Sequence, residues 1–157
     1  MNIFYLAHNP KSSAQMQCDK HVVKMILETA QLLSTAHWEL GGEGPYKVTH
    51  KNHPSAVWAR SNKKHYVWLY AHFRALSQEY TKRYGKVHKT WQKCSQALSE
   101  LPRGIPDTDW SDPPQCMPDN CKHKSTVIAY RRYYTQKGQE WSERGMPMKW
   151  FGKERVA

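Results

Sequence analysis

The sequence predicts an all-α fold: three to four helices joined by long irregular loops. Two runs carry this expectation. From Ala14 to Trp38 there is neither Gly nor Pro, and Val22, Met25, Ile26, Thr29, Leu32, Leu33 and Ala36 recur at helical spacing. From Pro54 to Gly85 the same holds for Val57, Trp58, Tyr66, Leu69, Tyr70, Phe73, Leu76 and Tyr80. The third observation is length. A chain of 157 residues is about one domain long and can bury a core without disulfides or metals. With no internal repeat and no linker, residues 1–157 read as one domain.

Residues 1–7 read as a short strand or an ordered arm. His8-Asn9-Pro10-Lys11-Ser12-Ser13 reads as a turn into the first helix, with Ser12 or Ser13 available as its cap. Gly41-Gly42 stops that helix, and a loop runs to Pro54, where proline suits a first helical turn. Gly85 ends the second helix, and a shorter one is expected from about Thr90 to Leu101. The proline-rich stretch from Pro102 to Pro118 reads as a draped loop. A last helix is expected from Lys122 to Arg144, before Gly145-Met146-Pro147 and a basic aromatic tail.

Composition narrows the function. Lys and Arg outnumber Asp and Glu by 24 to 13, a formal net charge of +11, so the partner is expected to be a polyanion. The excess is concentrated. Between residues 44 and 99 eleven basic residues face one acid, Glu79, while acids gather from Glu100 to Asp119. A generic solvated basic face is the plainer alternative. Sixteen Trp and Tyr residues are too many for a disordered basic tail. No apolar run approaches the roughly 18–20 residues that a membrane span needs. The opening Ile3–Ala7 is too short for a signal-peptide core, so a cytoplasmic protein with reduced thiols is expected. Cys116, Cys121 and His123, with Cys18 and His21, match no standard zinc spacing, and no metal or cofactor is expected.

On the first helix Lys20 or His21, Lys24 and Glu28 fall along neighbouring parts of one face, and Glu28 is the lone carboxylate between Asp19 and Glu39. An ordinary i,i+4 ion pair of Lys24 with Glu28 explains this spacing by itself. In a cationic, DNA-facing surface the same carboxylate can instead steady a positive sugar-like transition state. The His-Glu-x-x-His, phosphate-loop and Gly-x-Ser-x-Gly motifs are all missing. One nucleophile belongs to every chain, the terminal amine. Its reference pKa of about 7.7–8.0, against about 10.4 for lysine, leaves far more of it neutral at pH 7. A neutral amine can attack C1′ of a nucleotide and form a Schiff base.

Several short stretches, in order, resemble the pyrimidine-dimer DNA glycosylase/AP-lyase family of the phage endonuclease V type. His21 and Glu28 stand at the seven-residue spacing of that family's histidine and catalytic glutamate. His53-Pro54-Ser55-Ala56-Val57-Trp58 resembles the start of its second helix, and Lys82-Arg83-Tyr84-Gly85 the end. Pro114-Gln115 precedes the last helix as in the family, and Lys149-Trp150-Phe151-Gly152-Lys153 mirrors its aromatic tail.

The resemblance implies an endonuclease V-like fold and a cofactor-free monomer acting on damaged or modified pyrimidines in duplex DNA, in host cytoplasm if phage-encoded. It implies the Met1 amine as nucleophile, because Asn2 is large enough for the initiator Met to be retained, and Glu28 as the second catalytic group. Where the family has arginines directly before that glutamate and three residues after it, this chain has Leu27 and Gln31. Lys20, Lys24, Arg131, Arg132 and Lys137 are the candidates to replace their charge. Asn2, His21, His53, Trp150 and Lys153 complete the expected DNA-binding set, with Trp150-Phe151 facing DNA rather than the core. A non-catalytic DNA-binding protein on the same fold, or an RNA-binding factor using its aromatics, are the competing readings.

Overall fold

The computed structural model describes residues 1–155, and the fold is all-α apart from one short hairpin. Helices α1 (Pro10–Met16), α2 (Asp19–Glu39), α3 (Pro54–Ser61), α4 (Lys63–Tyr84), α5 (Lys89–Ser99) and α6 (Thr126–Glu143) are followed by antiparallel strands β1 (Lys149–Trp150) and β2 (Lys153–Glu154). Helix α2 packs against α3, α4 and α5, and α1 packs against α4.

Each of the two long helices expected from periodicity is two. The first breaks at Gln17 and Cys18, both extended. The Cys18 amide donates to the Tyr134 hydroxyl at 2.9 Å, and the buried Gln17 side chain meets His72 Nε2 at 3.1 Å. Tyr134 thus satisfies a backbone donor that a continuous helix would have paired itself. The second breaks at Asn62, whose side-chain oxygen accepts from the Lys64 and His65 amides and so starts α4. Its amide nitrogen donates to Asp109 O in the draped loop.

The cap of α1 is also corrected. Asn9 accepts from the Lys11 and Ser12 amides, whereas Ser13 is buried. The Ser13 hydroxyl accepts from Leu6 N–H and donates to Phe4 O. That bond explains the first seven residues, which form an arm rather than a strand. Ile3, Phe4, Tyr5 and Leu6 are all buried, with backbone groups met by side chains: Ser13 as above, and Arg131 Nε to Leu6 O at 2.9 Å. Phe4 takes φ +54°, a left-handed conformation costly for an aromatic residue. Its ring stacks on His21 at 4.3 Å and meets Tyr134 edge-on at 5.5 Å.

The Pro102–Pro118 loop drapes over α3 and α4, as expected. Trp58 Nε1 donates to Ser111 O, Lys63 N–H to Pro106 O, and Lys64 pairs with Asp107. The hairpin at the C-terminal end was not foreseen. Its turn residues Phe151 and Gly152 both have positive φ, the geometry whose twist matches a two-residue hairpin. Asp19 accepts the amides of both at 2.8 Å. Trp150, expected to face DNA, is instead 5% exposed. Its indole N–H donates to Met16 O, which docks the hairpin on the end of α1.

Candidate active site

Two elements hold the residues expected to react. The Met1 carbonyl accepts from the Ser55 hydroxyl at 3.1 Å, which fastens the N-terminal residue to the first turn of α3. His53 caps that helix, its Nδ1 accepting from Ser55 N–H at 3.0 Å. Burial first, then the positive charge of the Met1 amine and His50, holds the His53 ring below the usual histidine range. The ring is thus neutral, its free proton is on Nε2, and it lies near the amine.

Glu28 is on α2, the helix packed against α3. Seven residues make two helical turns less about 20°. His21, Glu28 and Thr35 therefore share one stripe of α2, at levels about 10 Å apart. The arm meets the lowest level, where Phe4 stacks on His21. The loop leading to α3 meets the highest, where the Thr49 amide donates to Thr35 Oγ1 at 3.2 Å. Glu28 stands between them. Its side chain is 20% exposed, yet Oε2 is buried and has no hydrogen-bond partner among the described residues. The ion pair expected with Lys24 is present, but at 3.8 Å it is too long to be a hydrogen bond. An unpaired buried polar atom costs about 1–3 kcal/mol and more when charged.

Around the lowest level lies a cationic, aromatic surface. Lys20 Nζ and Lys137 Nζ stand 5.3 and 5.7 Å from the centre of the Trp141 ring, and Lys137 also lies over Tyr133 at 4.9 Å. His21 is buried under this surface and is no surface contact. Its Nδ1 pairs with the Tyr134 hydroxyl at 2.7 Å. Burial, then Lys137, Lys24 and Lys20, lowers its pKa to about 3. It is therefore a neutral ring at physiological pH.

The other expected contacts scatter. Arg131 is spent partly on Leu6 O, tying α6 to the arm. Arg132 projects about 140° around α6 from Lys137, beside Asn120, Cys121 and Gln136. Lys153 is exposed on β2. The Asn2 side chain points inward, its Nδ2 donating to Cys116 O at 3.0 Å. Leu27, at a position where the resemblance has arginine, is 39% exposed.

Sequence reasoning missed Ser55, Tyr130, Tyr134 and Trp141. Trp141 stands four residues after Lys137, a spacing that pairs side chains on a helix. No local pattern marks the others. The four cysteines are free, and only Cys116 is not buried. No group of three His, Cys, Asp or Glu side chains among the described residues is arranged to hold a metal ion. No helix among them is long and apolar enough to cross a membrane.

The family model described as pyrimidine dimer DNA glycosylase matches residues 1–93. The chain belongs to this family. The match takes in Met1, Glu28 and the first turn of α3, and ends within α5. The likenesses in Pro114-Gln115 and the aromatic tail lie beyond it. No curated protein and no solved structure matches the chain.

Proposed function

We propose that the chain is a monomeric DNA glycosylase and AP lyase that acts on pyrimidine dimers or modified pyrimidines in duplex DNA through a Schiff base on the Met1 amine. The neutral amine bonds to C1′ as the bond from C1′ to the base nitrogen breaks, and the departing pyrimidine takes up a proton. Opening of the sugar at O4′ leaves an imine between the amine nitrogen and C1′. Loss of a C2′ proton then expels the 3′ phosphate by β-elimination, and water releases the enzyme by hydrolysing the imine. Glu28 stabilises the positive charge that develops on the sugar and on the imine nitrogen, and assists the elimination. Lys20, Lys24 and Lys137 hold backbone phosphates, and the aromatic surface around Trp141 accepts bases displaced from the stack.

The observation that carries this reading is that Glu28 Oε2 is buried with no hydrogen-bond donor, its ion-pair contact being Lys24 Nζ at 3.8 Å, on the stripe of α2 bracketed by the arm and by the loop into α3. Family membership supplies the substrate class. The test is borohydride trapping on a duplex carrying a cis-syn thymine dimer, beside abasic-site and undamaged duplexes. The expected result is an adduct on the dimer that disappears when the amine is blocked. An adduct on the abasic site alone retains the amine chemistry and rejects the dimer. Binding with no adduct on any duplex assigns a non-catalytic DNA-binding protein, the reading that Leu27 and Gln31 favour.

A further inference from the structure

The first two residues are held more tightly than an exposed terminus requires. Asn2 is gripped at both polar ends: Nδ2 donates to Cys116 O at 3.0 Å, and Oδ1 accepts from the Tyr130 hydroxyl at 3.0 Å. Tyr130 is fully buried on α6 and shares its one proton between Asn2 Oδ1 and Pro114 O, the latter at 2.5 Å. The Cys116 amide returns to the same phenol oxygen at 3.5 Å. On the opposite side, Ser55 is also fully buried, and its hydroxyl donates to Met1 O. Ser55 Oγ lies 3.8 Å from Cys116 Sγ, which joins the two halves. Three separate parts of the chain, α3, α6 and the draped loop, thus converge on residues 1 and 2.

We propose that Asn2, Ser55 and Tyr130 form a register clamp, which presents an α-amine one residue before Asn2 and nowhere else. The inference rests on the reading that the amine of residue 1 is the nucleophile. Its physical basis is reach. One residue spans about 3.8 Å, whereas a misplacement of about 1 Å at a reacting atom can cost a hundredfold in rate. A clamp on the side chain of residue 2 therefore fixes which residue can supply the nucleophile. It also gives Asn2 a use other than the DNA contact expected of it. Ser55 and Tyr130 are positioning residues, because they act through Met1 and Asn2.

The experiment inserts one residue between Met1 and Asn2 and follows single-turnover borohydride trapping on an abasic-site duplex. Mass spectrometry reads the terminus of each protein. A leucine insertion keeps the initiator Met and moves the amine one residue outward. Trapping is expected to slow by about a hundredfold or more, with duplex affinity within twofold and the melting midpoint unchanged. A glycine insertion allows Met to be removed and returns an amine to the position before Asn2, so trapping is expected to stay within about tenfold of the unaltered protein. If the leucine insertion destabilises the fold, Ser55→Ala supplies the same reading, with trapping about tenfold slower at unchanged affinity. A leucine insertion, or Ser55→Ala, that traps as fast as the unaltered protein overturns the clamp and leaves the amine mechanism standing. Failure of the unaltered protein to trap overturns the mechanism, and the clamp with it.

Discussion

Two carboxylates of helix α2, Asp19 and Glu28, stand nine residues apart, and the fold treats them in opposite ways. Asp19 is fully paired: Oδ1 accepts from Arg83 Nη1 at 3.1 Å and from Phe151 N–H at 2.8 Å, and Oδ2 accepts from Gly152 N–H at 2.8 Å. It also sits in the first turn of the helix, where negative charge is favoured. Glu28 Oε2 is buried without a hydrogen-bond donor and meets Lys24 Nζ only at 3.8 Å. The difference sets a carboxylate used in packing apart from the one we propose to act on substrate. Asp19 locks the hairpin to the junction of α1 and α2. Glu28, further along the helix, has only the Lys24 ammonium at 3.8 Å, and under the proposed function substrate is its further partner.

The comparison breaks most sharply at Glu28. Glu28→Gln is expected to slow adduct formation on the dimer by roughly 10²–10⁴-fold, with duplex affinity retained and stability to urea unchanged or higher. Trapping at the wild-type rate would make Glu28 no more than the partner of Lys24. At the other end of α2 the expected loss is in stability rather than rate. The Arg83 side chain is 1% exposed and bonds Asp19, Glu79, Gln15 O and Gln17 O. Arg83→Ala strands two largely buried carboxylates and is expected to cost about 3–5 kcal/mol in urea unfolding. A loss under 1 kcal/mol would mean that the cluster is surface decoration.

A smaller effect follows from the neutral histidines at the Asp19 end. Burial lowers His21 to about 3 and His72 to about 4, against the ordinary histidine value of 6.5. Below pH 6.5 the unfolded chain takes up protons that the folded one refuses, so stability is complete above 6.5 and falls as pH drops toward 4. The slope is about 1.4 kcal/mol per pH unit for each histidine at most. Urea midpoints at pH 7 and pH 5 check the sign, and equal midpoints would refute it. The smallest effect belongs to the cationic surface. Lys137→Ala is expected to weaken duplex binding a few-fold, equally for damaged and undamaged DNA, and to reduce the salt slope by about one. An unchanged slope would remove Lys137 from the phosphate contacts.

The helices were legible because burying one face of a helix imposes a period, and that period survives in Val22, Met25, Ile26 and Leu33 as it does in Tyr66, Leu69, Phe73 and Leu76. The breaks were not legible. Gln17, Cys18 and Asn62 are compatible with a continuing helix, and Tyr134, His72 and Asp109, all distant in sequence, bond the Cys18 amide and the Gln17 and Asn62 side chains. Trp150 shows the same limit. Beside Lys149 and Lys153 it reads as a DNA-facing residue, yet a carbonyl of α1 and the ring of Tyr134 enclose it.

Taken alone, the sequence determined the all-α class, the cationic character, the pairing of His21 with Glu28 on one stripe, and the resemblance that family membership bears out. All of these depend on composition or on spacing within one element, which any window of the chain contains. The tertiary structure decided that Glu28 has a buried oxygen without a donor, that His21 is a neutral core ring, and that Asn2 is gripped by Cys116 and Tyr130. Each depends on groups more than 100 residues apart or on the lack of a hydrogen-bond donor among the described residues. Hydrogen bonding and desolvation are settled by which atoms the folded chain brings within about 3 Å, and no local pattern encodes that.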